Sequence, residues 1–365
     1  MKKILITGST GFLGGAVVAN LLQNRVKDRL LLLVRGETVE EGLKRLKANL
    51  KNFGLSESVI HTITPENIIL GDLALTENFI NDSRINDVTH VINCAAVASF
   101  GNNPTIWKVN VEGTFQFAER MSHVAGLEKF IHVGTAMSCA PERGSLVTEG
   151  GLDSSRDQHV VEYTWSKASI EKMMTEKLPE LPLVIARPSI VVGHSDQGCL
   201  PSASIFWVFR MALALGKFTC DLDDRIDVVP VDYCADALVM LLDAEDVINE
   251  VIHISAGTQS SVTFAEIDEA MAKASGSRAL GVDYQKVSYK QLSDSRRTFK
   301  DLFGPCNERI MLRYGHFSNL NVVFDNSKLL QLGMNKPSRF TDYLDRCVVT
   351  TRDSTIAELM QVDFK

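Results

Sequence analysis

The chain has 365 residues, of which 45% are hydrophobic and 23% charged, with a formal net charge of −7. That acidic balance argues against nucleic-acid binding through a basic surface, and a chain of this length can bury a core that needs neither disulfide nor metal staples. The seven cysteines are scattered, with no Cys-x-x-Cys pair, a pattern that fits the reduced thiols of a cytoplasmic protein.

Ile4, Leu5 and Ile6 form a short β-type run, and because Met1-Lys2-Lys3 leads straight into it, no secretory leader is expected. Thr7 then opens a turn with Gly8, Gly11 and Gly14, followed by a helical apolar pattern through Phe12, Leu13, Ala16, Val17, Ala19, Leu21 and Leu22. A strand, a glycine turn and a helix in this order begin a dinucleotide-binding unit. Glycines let backbone N–H groups approach a pyrophosphate, and the helix dipole favours its charge.

Leu30–Val34 reads as a buried parallel strand ending in Arg35. A carboxylate at that position suits the ribose hydroxyl of NAD, whereas arginine suits the 2′-phosphate of NADP, so Arg35 favours NADP. Lys44 or Arg45, on a predicted charged helix over residues 38–53, could add a second positive group. Ile68–Leu70 is a further strand, ending in Gly71-Asp72-Leu73. Val88–Asn93 is the next, leading into Cys94-Ala95-Ala96, small residues that either let the chain pass beside the adenosine or pack strand onto helix.

Pro104 to Gly126 is predicted as one long helix, with proline in its first turn and glycine at its end. Asn110 inside its apolar pattern must be hydrogen-bonded, and a structural role is expected for it. Lys129–Val133 is the fifth strand, followed by Gly134-Thr135, and about 28 residues later Tyr163 and Lys167 stand four apart at a helix start, on one face. This pair suits hydride chemistry on a carbonyl: the hydroxyl gives a proton to the developing oxyanion, and the ammonium is expected to lower the tyrosine's pKa. Thr135 would be a second donor to the same oxygen.

Leu183–Ala186 is the sixth strand, running into Arg187-Pro188-Ser189. Strands over Ile226–Val231 and Val251–Ile254, with a helix over Tyr233–Leu242 between them, follow. The apolar Ile205–Leu215 stretch carries Arg210 and is too short to span a bilayer, so no transmembrane segment is expected; it reads as core helix or as the wall of an acyl pocket. The eight histidines show no metal-ligand spacing, and no metal site is expected. Residues 286–313 carry a net charge of +4, which reads as a solvated face or as a docking site for an anionic carrier.

On these motifs the chain resembles the extended short-chain dehydrogenase/reductases, and within them the thioester-reductase and fatty acyl reductase branch, including the reductase domains of carboxylic acid reductases. TGSTGFLGG from Thr7, LLVRG ending at Gly36, GDL from Gly71 and NCAAVASF from Asn93 carry the likeness. It continues through NVEGT from Asn110, Tyr163 to Lys167, RPSIVVG from Arg187 and VVPVDYCADAL from Val228, and more weakly through FDNSKLLQLG from Phe324.

The resemblance implies an α/β fold, a Rossmann-type doubly wound parallel sheet with a smaller, mainly C-terminal substrate-binding region. Residues 1–260 would bind NADPH, with 196–225 contributing to the substrate pocket, and residues 261–365 would cap it. It implies Thr135, Tyr163 and Lys167 as catalytic residues, Lys167 also bonding the nicotinamide ribose. Gly8, Gly11, Gly14 and Arg35 would surround the phosphates, with Pro188 and Ser189 beside the nicotinamide. Thr10, Phe12, Leu13, Asp72, Leu73, Ala95, Ala96 and Val191, on the same motifs, complete the implied cofactor contacts. The implied activity is NADPH-dependent reduction of an acyl thioester, bound to coenzyme A or an acyl carrier protein, to an aldehyde or on to an alcohol. An NADP-dependent ketone or secondary-alcohol dehydrogenase, a sugar-nucleotide epimerase and a non-catalytic NADP sensor remain as alternatives.

Overall fold

The apolar runs of the sequence become seven strands: β1 (Lys3–Thr7), β2 (Arg29–Val34), β3 (Ile68–Leu70), β4 (His90–Asn93), β5 (Lys129–Val133), β6 (Leu183–Pro188) and β7 (Val251–Ile254). In the computed structural model, which describes residues 1–25, 27–101, 103–295 and 308–360, they form one parallel sheet ordered β7-β6-β5-β4-β1-β2-β3. The order reverses between β1 and β4, and a crevice opens at the carboxyl ends of strands at such a switch point. The expected doubly wound fold is therefore present.

The helices that bear on the site are α1 (Phe12–Asn24), α2 (Val39–Lys51), α3 (Thr114–Ser122), α4 (Glu162–Lys177), α5 (Phe206–Leu215), α6 (Val231–Leu241), α7 (Phe264–Ser275), α8 (Glu308–Ser318) and α9 (Phe340–Thr350). Alternation along the strands decides which helix each face meets. Ile4, Ile6, Leu32 and Ile131 pack against α1, α2 and α6, whereas Leu5, Leu33, Val91 and Phe130 pack against α3 and α4. A separate core beyond the sheet gathers Trp207 and Met211 of α5, Ile267 and Met271 of α7, Met311 of α8, and Phe340 and Leu344 of α9. Leu329, by contrast, returns to the sheet core.

Local chemistry sets the helix limits. Thr38 caps α2 by accepting from the Glu41 N–H at 3.2 Å, and Thr263 and Glu266 form a capping box at the start of α7. Gly216 and Gly276, both at positive φ, end α5 and α7.

Two expected elements differ. The long helix over 104–126 is interrupted: Thr105–Trp107 is α-helical, Lys108–Gly113 is a π-helical turn, and α3 ends at Ser122, four residues before Gly126, so that the chain can turn into β5. The π turn carries the Gly113 backbone against Leu73, where a Cβ would lie 1.6 Å from the carbonyl oxygen. The strand expected over 226–231 is broken into Arg225–Ile226, antiparallel to Val262–Thr263, and Val228–Val229, parallel to Ile190–Val191. Between them the buried Asp227 carboxylate accepts backbone N–H groups of Ala256, Gly257 and Phe324 at 2.7, 3.3 and 3.0 Å. Satisfying a buried carboxylate this way costs the strand its continuity, and the next helix, α6, begins at Val231 rather than Tyr233. Burial raises the Asp227 pKa to about 6 against the pull of those donors.

Gly113→Ala is expected to destabilise the protein by about 2–3 kcal/mol, the cost of overpacking against backbone that cannot yield. Urea unfolding followed by circular dichroism measures it, and an unchanged midpoint would contradict the close approach of residues 73 and 113.

Candidate active site

The glycine turn closes tightly on itself. Gly8 adopts φ +69°, and a Cβ there would meet the Ala95 nitrogen at 2.8 Å; a Cβ on Gly14 would lie 2.2 Å from the Gly8 oxygen. Both positions require glycine. The stretch after β4 thus packs directly on the turn, as the small residues Ala95 and Ala96 permit. Gly11 precedes α1 without any side-chain cap, and no acidic residue occupies the first turn of the helix. The first N–H groups of α1 and its positive dipole end are left facing a cavity of about 620 Å³, whose wall includes Gly8, Thr10, Gly11, Phe12, Leu13 and Gly14. This cradle fits a dinucleotide pyrophosphate.

Arg35 and Asp72 stand at the same end, 3.8 Å apart, and Arg35 is largely exposed. Of the two further candidates, Arg45 is the one that reaches the turn, donating to the Thr10 hydroxyl at 3.2 Å. Partial desolvation lowers its pKa and the Arg35 charge lowers it further, a sign that two guanidinium groups share one locality. A dianionic phosphate would relieve that repulsion.

Beneath the opposite end lies a buried polar layer. Thr7 donates to Asn93 at 2.5 Å and accepts from the Ala95 N–H at 3.0 Å, and the Asn93 amide lies 3.1 Å from His132 Nδ1. Burial, and then Lys167, hold the His132 imidazole well below its usual pKa, so it is neutral. Asn110, in the π turn, accepts from the Val97 N–H at 2.7 Å and donates to the Val97 carbonyl at 3.2 Å and Ser166 Oγ at 3.0 Å. Its expected structural role is observed: it ties residue 97 to α4.

α4 presents Tyr163 and Lys167 on one face, and both line the cavity with Thr135. The Lys167 ammonium is buried and donates to the Val133 carbonyl at 2.7 Å. Burial depresses its pKa to about 8. Burial also raises Tyr163 to about 12, with the Glu171 charge adding to the rise. The expected lowering of the tyrosine is therefore not seen: desolvation of the phenolate and the Glu171 charge both act to raise it. Thr135 Oγ1 caps the turn Ala136–Cys139 by accepting from the Met137 N–H at 3.4 Å, and its own hydrogen donates to no protein group among the described residues.

One turn beyond Lys167, Glu171 is fully buried against Arg187, which donates to it at 3.0 and 2.7 Å and to the carbonyls of Gly150 and Gly151 at 3.0 and 3.1 Å. Gly134 leaves the space, since a Cβ there would lie 2.0 Å from Glu171 Oε1. Sequence reading missed this pair, although Tyr163, Lys167 and Glu171 recur every four residues. It also missed Phe100, whose ring lies 6.3 Å from that of Tyr163 and stacks on Tyr314 at 4.6 Å. No periodicity marks a loop aromatic whose partner is some 200 positions away.

The remaining expected cofactor residues, Leu73, Ala95, Ala96, Pro188, Ser189 and Val191, line the same cavity. The Ser189 N–H donates to the Ile254 carbonyl at 3.0 Å. Ile205, Val208, Phe209, Ala212 and Leu213 of the α5 stretch line the cavity, and Val208 and Phe209 also belong, with Phe206, Trp207 and Met211, to the second core, so the stretch is a core helix with one side on the cavity. Of the seven basic residues of the run over 286–313, Arg296, Arg297 and Lys300 lie outside the described residues; Lys286 pairs with Asp221, and Arg313 donates to the Phe100 carbonyl. Among the described residues no group of histidine, cysteine or acidic side chains could hold a metal ion, and no helix is long and apolar enough to cross a membrane.

An NAD-binding family model described as "Male sterility protein" matches residues 6–238. The chain is 24% identical over 344 residues to "Probable fatty acyl-CoA reductase 5" of Arabidopsis thaliana, covering 73% of this chain and 69% of that protein. It is 28% identical over 264 residues to a linear gramicidin synthase polypeptide of Brevibacillus parabrevis, covering 68% of this chain but spanning only 5% of that much longer protein. Among solved structures, the terminal R domain of the myxalamid PKS-NRPS biosynthetic pathway shares the fold, with a TM-score of 0.79 at 22% identity over 96% of this chain and 91% of that one.

Glu171→Gln is expected to cost about 3–5 kcal/mol of stability, because it leaves the Arg187 charge buried and uncompensated. Replacing both residues with methionine should recover most of that loss. Equal stabilities of wild type and Glu171→Gln in guanidinium unfolding would show that the pair does not hold α4.

Proposed function

The chain belongs to the Male sterility protein family of NAD-binding domains, and from that premise we propose that it is an NADPH-dependent reductase of acyl thioesters. A nicotinamide dinucleotide is the cofactor of this family, and the glycine cradle fits it. The observation that carries the reading is the continuity of one cavity, from the uncapped end of α1 past Thr135, Tyr163 and Lys167 to the apolar wall of α5. An acyl chain has an apolar place to lie while its carbonyl faces hydroxyl donors. The likeness to a fatty acyl-CoA reductase and to an R domain supports a thioester rather than a free ketone or sugar nucleotide.

In this reading residues 1–260 carry the cofactor, and residues 196–225 with 261–365 hold and cap the acyl group. Gly8, Gly11, Gly14 and the backbone from Thr10 to Leu13 bind the pyrophosphate, and Asp72, Leu73, Ala95 and Ala96 flank the adenosine. Arg35 and Arg45 together bind a 2′-phosphate, which selects NADPH. Pro188, Ser189 and Val191 form the wall beside the nicotinamide, which supplies a hydride when bound. Tyr163 donates its proton to the substrate oxygen as negative charge develops there, and Thr135 donates a hydrogen bond to the same atom. A phenol held near pKa 12 stays protonated at neutral pH and is a ready donor. Lys167, anchored on Val133, bonds the ribose and keeps a positive charge near the oxyanion. Collapse of the resulting hemithioacetal releases a thiol and an aldehyde, and a second reduction would give the alcohol. The thiol belongs to coenzyme A or to an acyl carrier protein. The seven unpaired-by-pattern cysteines support a cytoplasmic setting.

Incubation with NADPH and a panel of acyl thioesters tests the reaction; oxidation of NADPH by a free ketone but by no thioester would refute it. Tyr163→Phe should lower kcat/KM about 10²- to 10⁴-fold. Because the Lys167 ammonium persists only below a pKa of about 8, kcat/KM should fall as pH rises through that value, and a profile flat to pH 10 would remove its electrostatic role. Replacing Arg35 and Arg45 together with serine should raise the KM for NADPH about tenfold or more and leave that for NADH little changed. Equal effects on both cofactors would argue against 2′-phosphate recognition.

A further inference from the structure

The cavity also reaches α7, which presents Phe264, Ile267 and Asp268 to it. With Met271 these positions form one helical stripe, apolar at every place except Asp268. The carboxylate is 5% exposed. Each of its oxygens accepts one backbone N–H, from Leu280 at 3.1 Å and from Gly281 at 2.9 Å. An ionised carboxylate offers about four acceptor positions, so capping the turn Gly281–Asp283 uses half of them. No cationic side chain pairs with it among the described residues: Lys286 pairs with Asp221, and Arg339 of the segment beside α7 pairs with Glu266. The Tyr284 hydroxyl, on the same stretch, is spent on the Cys220 carbonyl at 2.8 Å and supplies no donor to the carboxylate. A buried carboxyl group on a cavity wall, with acceptor positions left over and no cationic partner among the described residues, offers a recognition point to a hydrogen-bond donor that enters the cavity.

We propose that Asp268 recognises a primary ammonium group at the far end of the acyl chain, so that the substrate is an amino-bearing acyl thioester rather than a plain fatty acyl one. The ammonium donates to the free acceptor positions of Asp268, while the methylene chain lies along Ile205, Val208 and Ala212 and the carbonyl faces Tyr163. The inference rests on the acyl-thioester reading for its orientation, though the subsite itself can be tested without any turnover.

Acyl pantetheine amides, in which nitrogen replaces the thioester sulfur so that no reduction intervenes, are titrated into the protein with oxidised cofactor present. A series of increasing length is used, each length ending in methyl, hydroxyl or ammonium. At the best-fitting length the ammonium-ended analogue should bind about tenfold more tightly than the methyl-ended one, the order a charge-assisted hydrogen bond supplies. Asp268→Asn should abolish that difference. A wild-type protein that binds the methyl- or hydroxyl-ended analogue as tightly at every length overturns the proposal, whether or not the variant folds. Turnover of the matching thioesters is measured separately. An ammonium preference in binding without any thioester reduction would refute the reaction and leave the subsite standing, whereas reduction of plain and amino-bearing chains alike would do the reverse.

Discussion

The arrangement of the site depends on one buried ion pair. Arg187 at the end of β6 and Glu171 on α4 are both essentially solvent-free, and the arginine's remaining donors are taken up by the carbonyls of Gly150 and Gly151. A pair so deeply desolvated contributes little net stability by itself, but it tolerates very few geometries. α4 is thereby held at one height and one rotation against the sheet, which sets where Tyr163 and Lys167 emerge. Gly134 exists in this frame as the gap that the carboxylate fills.

The same layer governs the charges available for chemistry. Lys167 is drawn into the interior by the Val133 carbonyl, and burial depresses its pKa to about 8. His132, the nearest ionisable ring on β5, is kept neutral and so adds no second positive charge beside it. Tyr163 moves the other way, to about 12. Burial therefore leaves a protonated phenol next to a lysine poised around neutral to mildly alkaline pH. At the other end of the crevice the logic is reversed: an uncapped helix end and two neighbouring arginines concentrate positive potential on an otherwise acidic protein.

The second core joins these two ends to a place for the rest of a substrate. α5 packs in that core and also lines the cavity, and the cavity wall is completed by segments far apart in sequence, from Phe100 to Tyr284 and Tyr314. The Asp227 carboxylate ties the stretch after β7 to Phe324 by accepting backbone N–H groups from both. The broken strand around it is the cost of that junction.

Much was legible in the chain itself. The sheet strands, the glycine turn, α1, and the Tyr163–Lys167 face follow from patterns that repeat within ten residues, where the steric demands of glycine and the periods of helix and strand are local. Arg35 as a positively charged residue at the end of β2 is equally local. What only the tertiary structure decided involves partners distant in sequence: the π turn imposed by the approach of Gly113 to Leu73, the choice of Arg45 over Lys44, the pairing of Glu171 with Arg187, and the upward pKa of Tyr163. The last is instructive, because a four-residue spacing predicts attraction between phenolate and ammonium but carries no information on how much water either group has lost. Desolvation is a property of the whole enclosing fold, and it, rather than the spacing, sets the protonation states of this site.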